Sequence, residues 1–284
     1  MHAKAYSPAH ITGFFAIFRN GSTGAGINIK DGVVSEVSAK EAAKNKVEIR
    51  INGRKAKAAT SAKVIEKFLK LAKNKKRNYE INVNHKTKMP IGYGLGISGA
   101  GALSLSLALN KALNLKLSKE GCVQIAKEAE IEEGTGLGDV IAEQFHGLMI
   151  GKKPYPSTDA EIIPIKEKYV VLAFFKPIET KKVIRNPAMK KRINKTGLGC
   201  MKELEKRKSL GNFVKLCNRF SKESGLLTKK LERIIEKVPV ASMAMLGETL
   251  FIVTNNPSGA KKIMAKYSKR IAVSGIAEEG AKVI

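Results

Sequence analysis

The chain has 284 residues, of which 43% are hydrophobic and 27% are charged, a balance typical of a folded globular protein and not of a disordered or collagenous one. Its formal net charge of +27 attracts phosphate groups, so a nucleic-acid partner has to be considered. Aromatic residues make up only 6% of the chain and tryptophan is absent, which leaves little material for base-stacking surfaces. We therefore expect small anionic ligands rather than nucleic acid.

The cysteines and the N-terminus indicate a cellular compartment. Cys122, Cys200 and Cys217 are an odd number without a CxxC pair, which favours neither a disulfide framework nor a zinc site and is typical of the reducing cytosol. The first ten residues contain no apolar signal core, so we expect a cytoplasmic protein. Residues 89–110 carry no charged side chain and are long enough to span a membrane. Their glycines, proline and serines instead favour a loop that leads into a buried helix, and no membrane partner is expected.

The N-terminal half begins with alternating segments typical of β-strands. We predict strands at 10–17, 24–29, 32–37 and 47–51. Turn signals separate them at Asn20-Gly21, Asp31-Gly32 and Asn52-Gly53. We then predict a helix at 59–74, a strand at 79–83, an almost entirely apolar helix at 102–115 and a helix capped by Ser118 that ends near Ile131.

The segment Lys152 to Ala160 contains two prolines and is interpreted as a linker. We accordingly predict two domains, residues 1–155 and residues 156–284. Strands of the second half are predicted at 168–175, 240–245, 249–254 and 270–276. Its helices are predicted at about 186–195, 200–208, 210–223, 228–238 and 257–267. This mixture of strands and helices indicates an α+β protein.

Residues 89–102, MPIGYGLGISGAGA, contain five glycines. Glycines allow backbone N–H groups to converge on an anion, and a helix that begins there adds a partial positive charge. We therefore predict a phosphate-binding loop. The Lys-Ser/Thr pair of a Walker loop is missing. The dinucleotide-binding pattern also fails. It requires glycines directly after a strand and an acidic residue about 20 residues later, at the end of a second strand. Here the glycines do not directly follow a strand, and Glu120 lies at the start of a helix.

The stretch from Pro90 to Ala100 matches the pattern Pro-x-x-x-Gly-Leu-Gly-x-Ser-x-Ala and resembles the central signature of the GHMP kinases, the galacto-, homoserine, mevalonate and phosphomevalonate kinase superfamily. SPAHITGFF at 7–15 and ASMAMLG at 241–247 stand where the other two signatures of the superfamily belong, although both depart from its consensus. Together with GSTGAG at 21–26 and GTGLGD at 134–139, these motifs are similar to the archaeal pantoate kinase family.

This resemblance implies a two-domain GHMP kinase fold, with an N-terminal domain like the second domain of ribosomal protein S5 and a ferredoxin-like C-terminal domain. It implies transfer of the γ-phosphoryl group of ATP to the 4-hydroxyl of (R)-pantoate, which gives (R)-4-phosphopantoate for coenzyme A biosynthesis. The implied cofactors are ATP and Mg²⁺, and a homodimer is expected. Alternatives are another small-alcohol kinase, such as a mevalonate or homoserine kinase, and a basic RNA-associated protein.

The resemblance also implies roles for individual residues. Cofactor-binding residues are predicted along the loop at Pro90, Gly92, Gly94, Leu95, Gly96, Ser98, Gly99, Ala100 and Gly101. Ser98 and Glu130 match the metal ligands, with Glu128 as the alternative to Glu130. Asp139 matches the aspartate that accepts or orients the proton of the substrate, and His10, as a cation or hydrogen-bond donor, is predicted to keep Asp139 ionised. Ser22 and Lys152, with Lys153 as the alternative to Lys152, are predicted to bind the hydroxyl and carboxylate groups of the substrate.

Overall fold

The computed structural model describes residues 1–73, 77–154, 157, 159–178, 180–184 and 186–284. Two β-sheets and the helices packed against them account for most of these residues. The predicted domain boundary between residues 155 and 156 lies outside the described residues, as does Pro156 of the predicted linker.

The first sheet contains eight strands within the described residues. They are β1 (His2–Phe18), β2 (Gly21–Glu41), β3 (Lys46–Ile51), β4 (Arg54–Lys55), β5 (Tyr79–Lys86), β6 (Leu148–Gly151), β7 (Ala160–Ile163) and β12 (Lys282–Val283). Six of them follow the order β12-β1-β2-β5-β3-β4, while β6 pairs with both β2 and β7. β3 runs parallel to β5, and the other pairs are antiparallel. Because β7 and β12 join this sheet from beyond residue 155, the division into two domains stays a prediction.

The predicted turn at Asp31-Gly32 is wrong, because β2 runs through it as one long strand. The register between β1 and β2 shifts between Ser7 and Ala9. A Cβ atom at Gly32 would collide with the backbone of Ser7. Gly32 therefore belongs to a β-bulge, which bends a continuous strand and gives a local sequence signal similar to that of a turn.

Helices cover one side of this sheet. They are α1 (Ala59–Lys73), α2 (Ile97–Ala112), α3 (Lys119–Glu133) and the short α4 (Asp139–Ala142). α2 packs on β1 and β2 and lies against α1 and α3, and most of its residues are buried. The prediction of a glycine loop leading into a buried helix is thereby confirmed, but the helix begins at Ile97 and not at residue 102, so residues 97–101 belong to the helix. No helix in the described ranges is long and apolar enough to cross a membrane.

The second sheet is antiparallel and has the order β11-β8-β10-β9. Its strands are β8 (Tyr169–Pro177), β9 (Ser242–Ala244), β10 (Gly247–Thr254) and β11 (Ile271–Gly275). The helices of this half are α5 (Thr180–Ile184), α6 (Pro187–Lys206), α7 (Leu210–Glu223), α8 (Lys229–Lys237) and α9 (Pro257–Ala265). α6 is a single helix where two were predicted. A Cβ atom at Gly197 would collide with the carbonyl of Phe15, so this glycine allows α6 to pack closely on β1.

A shared apolar core joins the two halves. Phe14 and Phe15 of β1 lie against Phe220 of α7, with ring centroids 6.4 Å and 5.5 Å apart. Phe213 of α7 contacts both Phe14 of β1 and Phe251 of β10. β1 therefore belongs to the first sheet by its hydrogen bonds and to the core of the second half by its side chains.

Candidate active site

The glycine loop connects β5 to α2. Gly92, Gly94 and Gly96 adopt φ angles of 85°, 76° and 63°, a left-handed conformation that glycine adopts with little strain. α2 begins at Ile97, directly after Gly96, which has no side chain with which to cap the helix. The first N–H groups of α2 therefore remain available to an anion, and the partial positive charge of the helix end adds to their attraction.

The C-terminal half supports this loop from outside. A Cβ atom at Gly94 would lie 2.6 Å from the carbonyl oxygen of Met245, in the turn between β9 and β10. The hydroxyl of Thr249 donates a hydrogen bond to the carbonyl of Tyr93 (2.8 Å). The segment 241–247, which sequence analysis placed at the third superfamily signature, thus leads into a turn that fixes the loop.

The predicted cofactor-binding residues divide into two groups. Those that line a cavity over the loop, the loop cavity, are Gly92, Gly94, Leu95, Gly96 and Ser98. Gly99 and Ala100 are buried in α2. Gly101 lines a neighbouring cavity and faces His85, whose ring atoms would lie 3.9 Å from a Cβ atom at that position. Pro90 lies at the start of the loop and does not line this cavity. Only the first part of the predicted stretch therefore borders the space where phosphates could bind.

Three acidic side chains, Glu130, Asp139 and Glu143, meet beneath the loop. A Cβ atom at Gly99 would lie 2.9 Å from Oε1 of Glu130, 3.0 Å from Cβ of Asp139 and 3.2 Å from Oε2 of Glu143. Gly99 therefore leaves the space in which the three side chains approach α2. Sequence analysis did not identify Glu143, because the local pattern around it contains no signal that distinguishes it from a surface glutamate.

The environment of these side chains raises their pKa values. Glu130 and Glu143 are fully buried, and their four carboxyl oxygens make no hydrogen bond of ordinary geometry to the part of the chain that is described. Burial, and the charge of neighbouring carboxylates, raise the pKa of both groups well above its usual range. Burial also raises the pKa of Asp139 to about 6, although a hydrogen bond from the Thr12 hydroxyl (3.4 Å) acts to lower it. Such a cluster favours binding of a cation or a proton.

Glu128, the alternative to Glu130, lies on the outer face of α3. Its side chain is 43% exposed and pairs with Lys67 at 2.9 Å. It also accepts a hydrogen bond from Gln124 (3.0 Å). Two residues along a helix point to nearly opposite sides, so only Glu130 lies beneath the loop. The position of the two side chains favours Glu130 as the metal ligand.

His10 lies near the loop, but its hydrogen bond is to Asn28. His10 Nδ1 lies 2.7 Å from Oδ1 of Asn28, whose amide donates to the carbonyls of Ala142 and Phe145. Because the amide nitrogen of Asn28 is the donor in both bonds, its oxygen accepts from His10. Burial lowers the pKa of His10 to about 4, despite this hydrogen bond. The ring is therefore neutral near neutral pH, and the described contact to Asp139 comes from Thr12, a residue that sequence analysis did not identify.

Two further cavities adjoin the loop cavity. The first, the Ser22 cavity, is lined by apolar side chains and by polar ones that include Ser22, Lys153 and Asp159. It shares Thr12 and Asp139 with the loop cavity. The second, the apolar cavity, shares Ile97, Ser98 and Thr135 with the loop cavity. Its other apolar residues include Val33, Ile51, Ala58, Ala59 and Ile91. The three cavities thus form one row, with the glycine loop in the middle.

The two predicted substrate-binding residues differ in position. Ser22 lines the Ser22 cavity, and its backbone N–H donates to the carbonyl of Leu137 (3.1 Å). Lys152 instead pairs with Glu161 at 2.9 Å, and it is the neighbouring Lys153 that lines the cavity. The geometry therefore favours Lys153, the alternative given by the sequence, as a cation near a ligand.

The chain is similar in sequence to known kinases. The family model for the GHMP kinases N terminal domain matches residues 59–147, which contain the loop and the three acidic residues. The chain is 38% identical over 259 residues to a pantoate kinase from Methanocaldococcus jannaschii, with 88% of this chain and 92% of the relative aligned. The chain belongs to the pantoate kinase family of the GHMP kinases.

Solved structures agree with membership of the pantoate kinase family. A structure described as a phosphotransferase related to the CoA biosynthesis pathway has a TM-score of 0.88 at 27% identity, and covers 100% of this chain and 99% of that one. A structure described as MDDEF in complex with MVAPP, AMPPCP and magnesium has a TM-score of 0.73 at 13% identity, and the alignment covers 100% of this chain and 99% of that one. This similarity shows that the two proteins share the fold. The predicted GHMP kinase fold is confirmed, while the roles of individual residues stay predictions.

Proposed function

We propose that this chain transfers the γ-phosphoryl group of ATP to the 4-hydroxyl of (R)-pantoate, which gives (R)-4-phosphopantoate for coenzyme A biosynthesis. The observation that carries this proposal is that Asp139 lies in the wall shared by the loop cavity and the Ser22 cavity. A terminal phosphate in the first cavity and an alcohol in the second would meet at this carboxylate. Similarity to a pantoate kinase over 88% of the chain supports pantoate as the alcohol.

The nucleotide would occupy the loop cavity and the apolar cavity together. The triphosphate contacts the N–H groups around Gly94, Gly96 and Ser98, where the end of α2 favours negative charge. The apolar cavity continues from Ile97 and Ser98 and offers the apolar walls that a nucleoside requires. Binding through main-chain groups leaves the phosphates fixed in position before the reaction begins, which is how preorganised donors lower a barrier.

The acceptor would occupy the Ser22 cavity. Lys153 offers a positive charge to the carboxylate of pantoate, and Ser22 offers a hydroxyl to its hydroxyl groups. Apolar side chains of the same cavity, among them Phe15 and Met149, provide a surface for the two methyl groups of pantoate. This arrangement would direct the 4-hydroxyl towards Asp139.

Asp139 would orient the attacking hydroxyl and accept its proton. With a pKa of about 6, its carboxyl group is mostly ionised near neutral pH and is still basic enough to take up a proton. Phosphoryl transfer has a loose transition state, so correct placement of the hydroxyl matters more than its full deprotonation. The hydrogen bond from Thr12 fixes the direction of the Asp139 carboxylate.

The residues present fit a magnesium ion. The two buried oxygens of Glu130 make no hydrogen bond of ordinary geometry within the described residues, and Ser98 lines the loop cavity. Described His, Cys, Asp and Glu residues form no group of three that could hold a metal by themselves, and magnesium in kinases is commonly held by one or two carboxylates together with phosphate oxygens. When bound, the ion supplies positive charge that offsets the charge of the phosphates. The structure described with AMPPCP and magnesium belongs to a protein of the same fold.

An ADP-release assay tests the proposal. Purified protein with Mg·ATP would be offered pantoate, mevalonate, homoserine and shikimate, and NMR of the product would locate the new phosphate ester. We expect ADP release with pantoate and a phosphate on its 4-oxygen. Preferential use of mevalonate or homoserine would support another small-alcohol kinase. RNA binding with a steep salt dependence and no ADP release would support the RNA-associated alternative. The expected cytoplasmic location and homodimer stay predictions.

A further inference from the structure

The roles proposed above leave one acidic residue of the site, Glu143, without a function. Its Oε1 atom lies 2.7 Å from the position of a Cβ atom at Gly96, at the turn where the loop becomes α2. Its backbone is fixed on both sides, because its N–H donates to the carbonyl of Asp139 and its carbonyl accepts from the N–H of Ala281, each at 2.9 Å. The side chain is therefore held against the underside of the loop.

The burial of Glu143 requires an explanation. The residue is fully buried, and neither carboxyl oxygen has a hydrogen bond of ordinary geometry within the described residues. A buried carboxyl group without a partner is costly, and proteins compensate such groups with a charge or a metal ion. Glu130 is in the same condition, and both carboxyl groups lie against Gly99. The charge of the buried Lys127 acts on Glu130 to lower its pKa, whereas the charges that act on Glu143 are the like charges of Asp139 and Glu130. Glu143 therefore calls for a further cationic partner, which it can share with Glu130.

The location of the pair is also informative. The same turn of α2 borders the loop cavity, where the proposed function places the phosphates of ATP. Once ionised, two acidic groups behind a phosphate site would weaken phosphate binding by charge repulsion if no cation were present. A divalent cation removes this conflict, since it is attracted by the carboxylates and by the phosphates alike.

We propose that Glu143, together with Glu130, supplies the negative charge that holds a divalent cation at the phosphate loop; this inference rests on the proposed function. The acceptor hydroxyl is placed at Asp139, so Glu143 acts through the cation and is a positioning residue. Oxygen atoms of carboxylates are the ligands that magnesium and manganese prefer, and a negative group near a metal supports its binding even without direct contact.

A purely structural role for Glu143 makes a different prediction. If its carboxyl group served only to fill space or to brace the loop, its replacement would lower stability and leave metal affinity unchanged. Under our proposal, Glu143→Gln removes a buried group that is unfavourable without a metal. The metal-free variant should then be at least as stable as the wild type.

The test compares Glu143→Gln with Glu128→Gln, which removes the same charge from the exposed face of α3. Binding of Mn²⁺ is measured by electron paramagnetic resonance in the presence of AMPPCP, and the unfolding temperature is measured without metal. We expect Glu143→Gln to weaken Mn²⁺ binding by about tenfold or more, the range seen when groups that support a metal site are removed. Glu128→Gln should bind Mn²⁺ like the wild type.

Wild-type Mn²⁺ affinity in Glu143→Gln, or an equal loss of affinity in Glu128→Gln, would overturn the inference. Glu143→Leu provides a second variant of similar size, for which the same expectations hold if the glutamine variant does not fold. Failure of the proposed function is recognised separately, since the wild type would then release no ADP with pantoate. If the wild type is active and both Glu143 variants bind Mn²⁺ normally, only this inference fails.

Discussion

The hydroxyl group of Thr12 in β1 lies 3.4 Å from Oδ1 of Asp139 at the start of α4, although the two residues are 127 positions apart in the chain. Both residues lie in the wall that the loop cavity shares with the Ser22 cavity. Because β1 also carries the phenylalanines of the shared core, packing of the C-terminal half fixes the strand that supports Asp139.

Replacement of Asp139 tests its role in proton transfer and orientation. Asp139→Asn should lower kcat by roughly 10² to 10⁴, the usual contribution of a positioned proton acceptor. Steady-state kinetics with pantoate and ATP measure the change. Asp31→Asn serves as a control, because Asp31 lies on β2 in a contact with Lys88 (3.6 Å). Near wild-type turnover in Asp139→Asn would remove this residue from the mechanism.

Replacement of Ser98 tests which ligand lies over the loop. Ser98→Ala should raise the KM for Mg·ATP by about 10- to 100-fold, the effect of losing a hydrogen bond to a charged group. The KM for pantoate should change little. Ser106→Ala is a matched control in the same helix, since the Ser106 hydroxyl donates to the carbonyl of Cys122 and lies away from the cavity. The reverse pattern, a large change for pantoate alone, would contradict the assignment of the loop to ATP.

Replacement of Gly94 tests whether the loop conformation itself is required. Gly94→Ala places a Cβ atom at φ 76° and 2.6 Å from the carbonyl oxygen of Met245, so it should lower the free energy of unfolding by at least about 2 kcal/mol. Urea unfolding measures this change. Gly199→Ala is the control, because Gly199 lies in α6 and a Cβ atom at this position would have no neighbouring atom within 4 Å. That variant should be neutral or stabilised by up to about 1 kcal/mol. Equal stability of the two variants would contradict the described loop geometry.

His85 predicts a pH dependence of stability. Its ring nitrogens lie 2.8 Å from the hydroxyl of Ser35 and 2.9 Å from that of Ser61, and burial lowers its pKa from 6.5 to about 4. As the pH falls below about 6.5, the unfolded chain binds a proton that the folded protein excludes until about pH 4. The stability that neutral His85 contributes is therefore fully present above pH 6.5 and is lost between pH 6.5 and pH 4. The total loss in the free energy of unfolding is about 3 kcal/mol.

The stability gap between the wild type and His85→Asn should accordingly narrow as the pH falls from about 7 to about 4. Urea unfolding at several pH values measures the gap. His2→Asn is the control, because His2 is exposed at the start of β1. A gap that stays constant over this range would show that His85 does not remain neutral in the folded protein.

Much of the fold follows from local sequence patterns. α7 spans Leu210–Glu223, as its apolar periodicity predicts, and Ser118 caps α3 through a hydrogen bond from Gly121. The glycine loop and the burial of α2 are also readable from composition, because backbone conformation and helix burial depend on neighbouring residues. The shortest strands were less predictable. β12 depends on pairing with β1 at the other end of the chain, and β7 on pairing with the preceding strand β6.

The sequence alone determined the class of the protein, its glycine loop and the residues around which a site could form, since spacing and residue type encode local conformation and chemistry. Only the tertiary structure decided which groups meet. It placed Glu130 rather than Glu128 beneath the loop, brought Thr12 to Asp139, and directed Glu143 towards Gly96. These contacts join segments far apart in the chain, and burial, which sets the pKa of each carboxyl group, exists only once those segments have packed together.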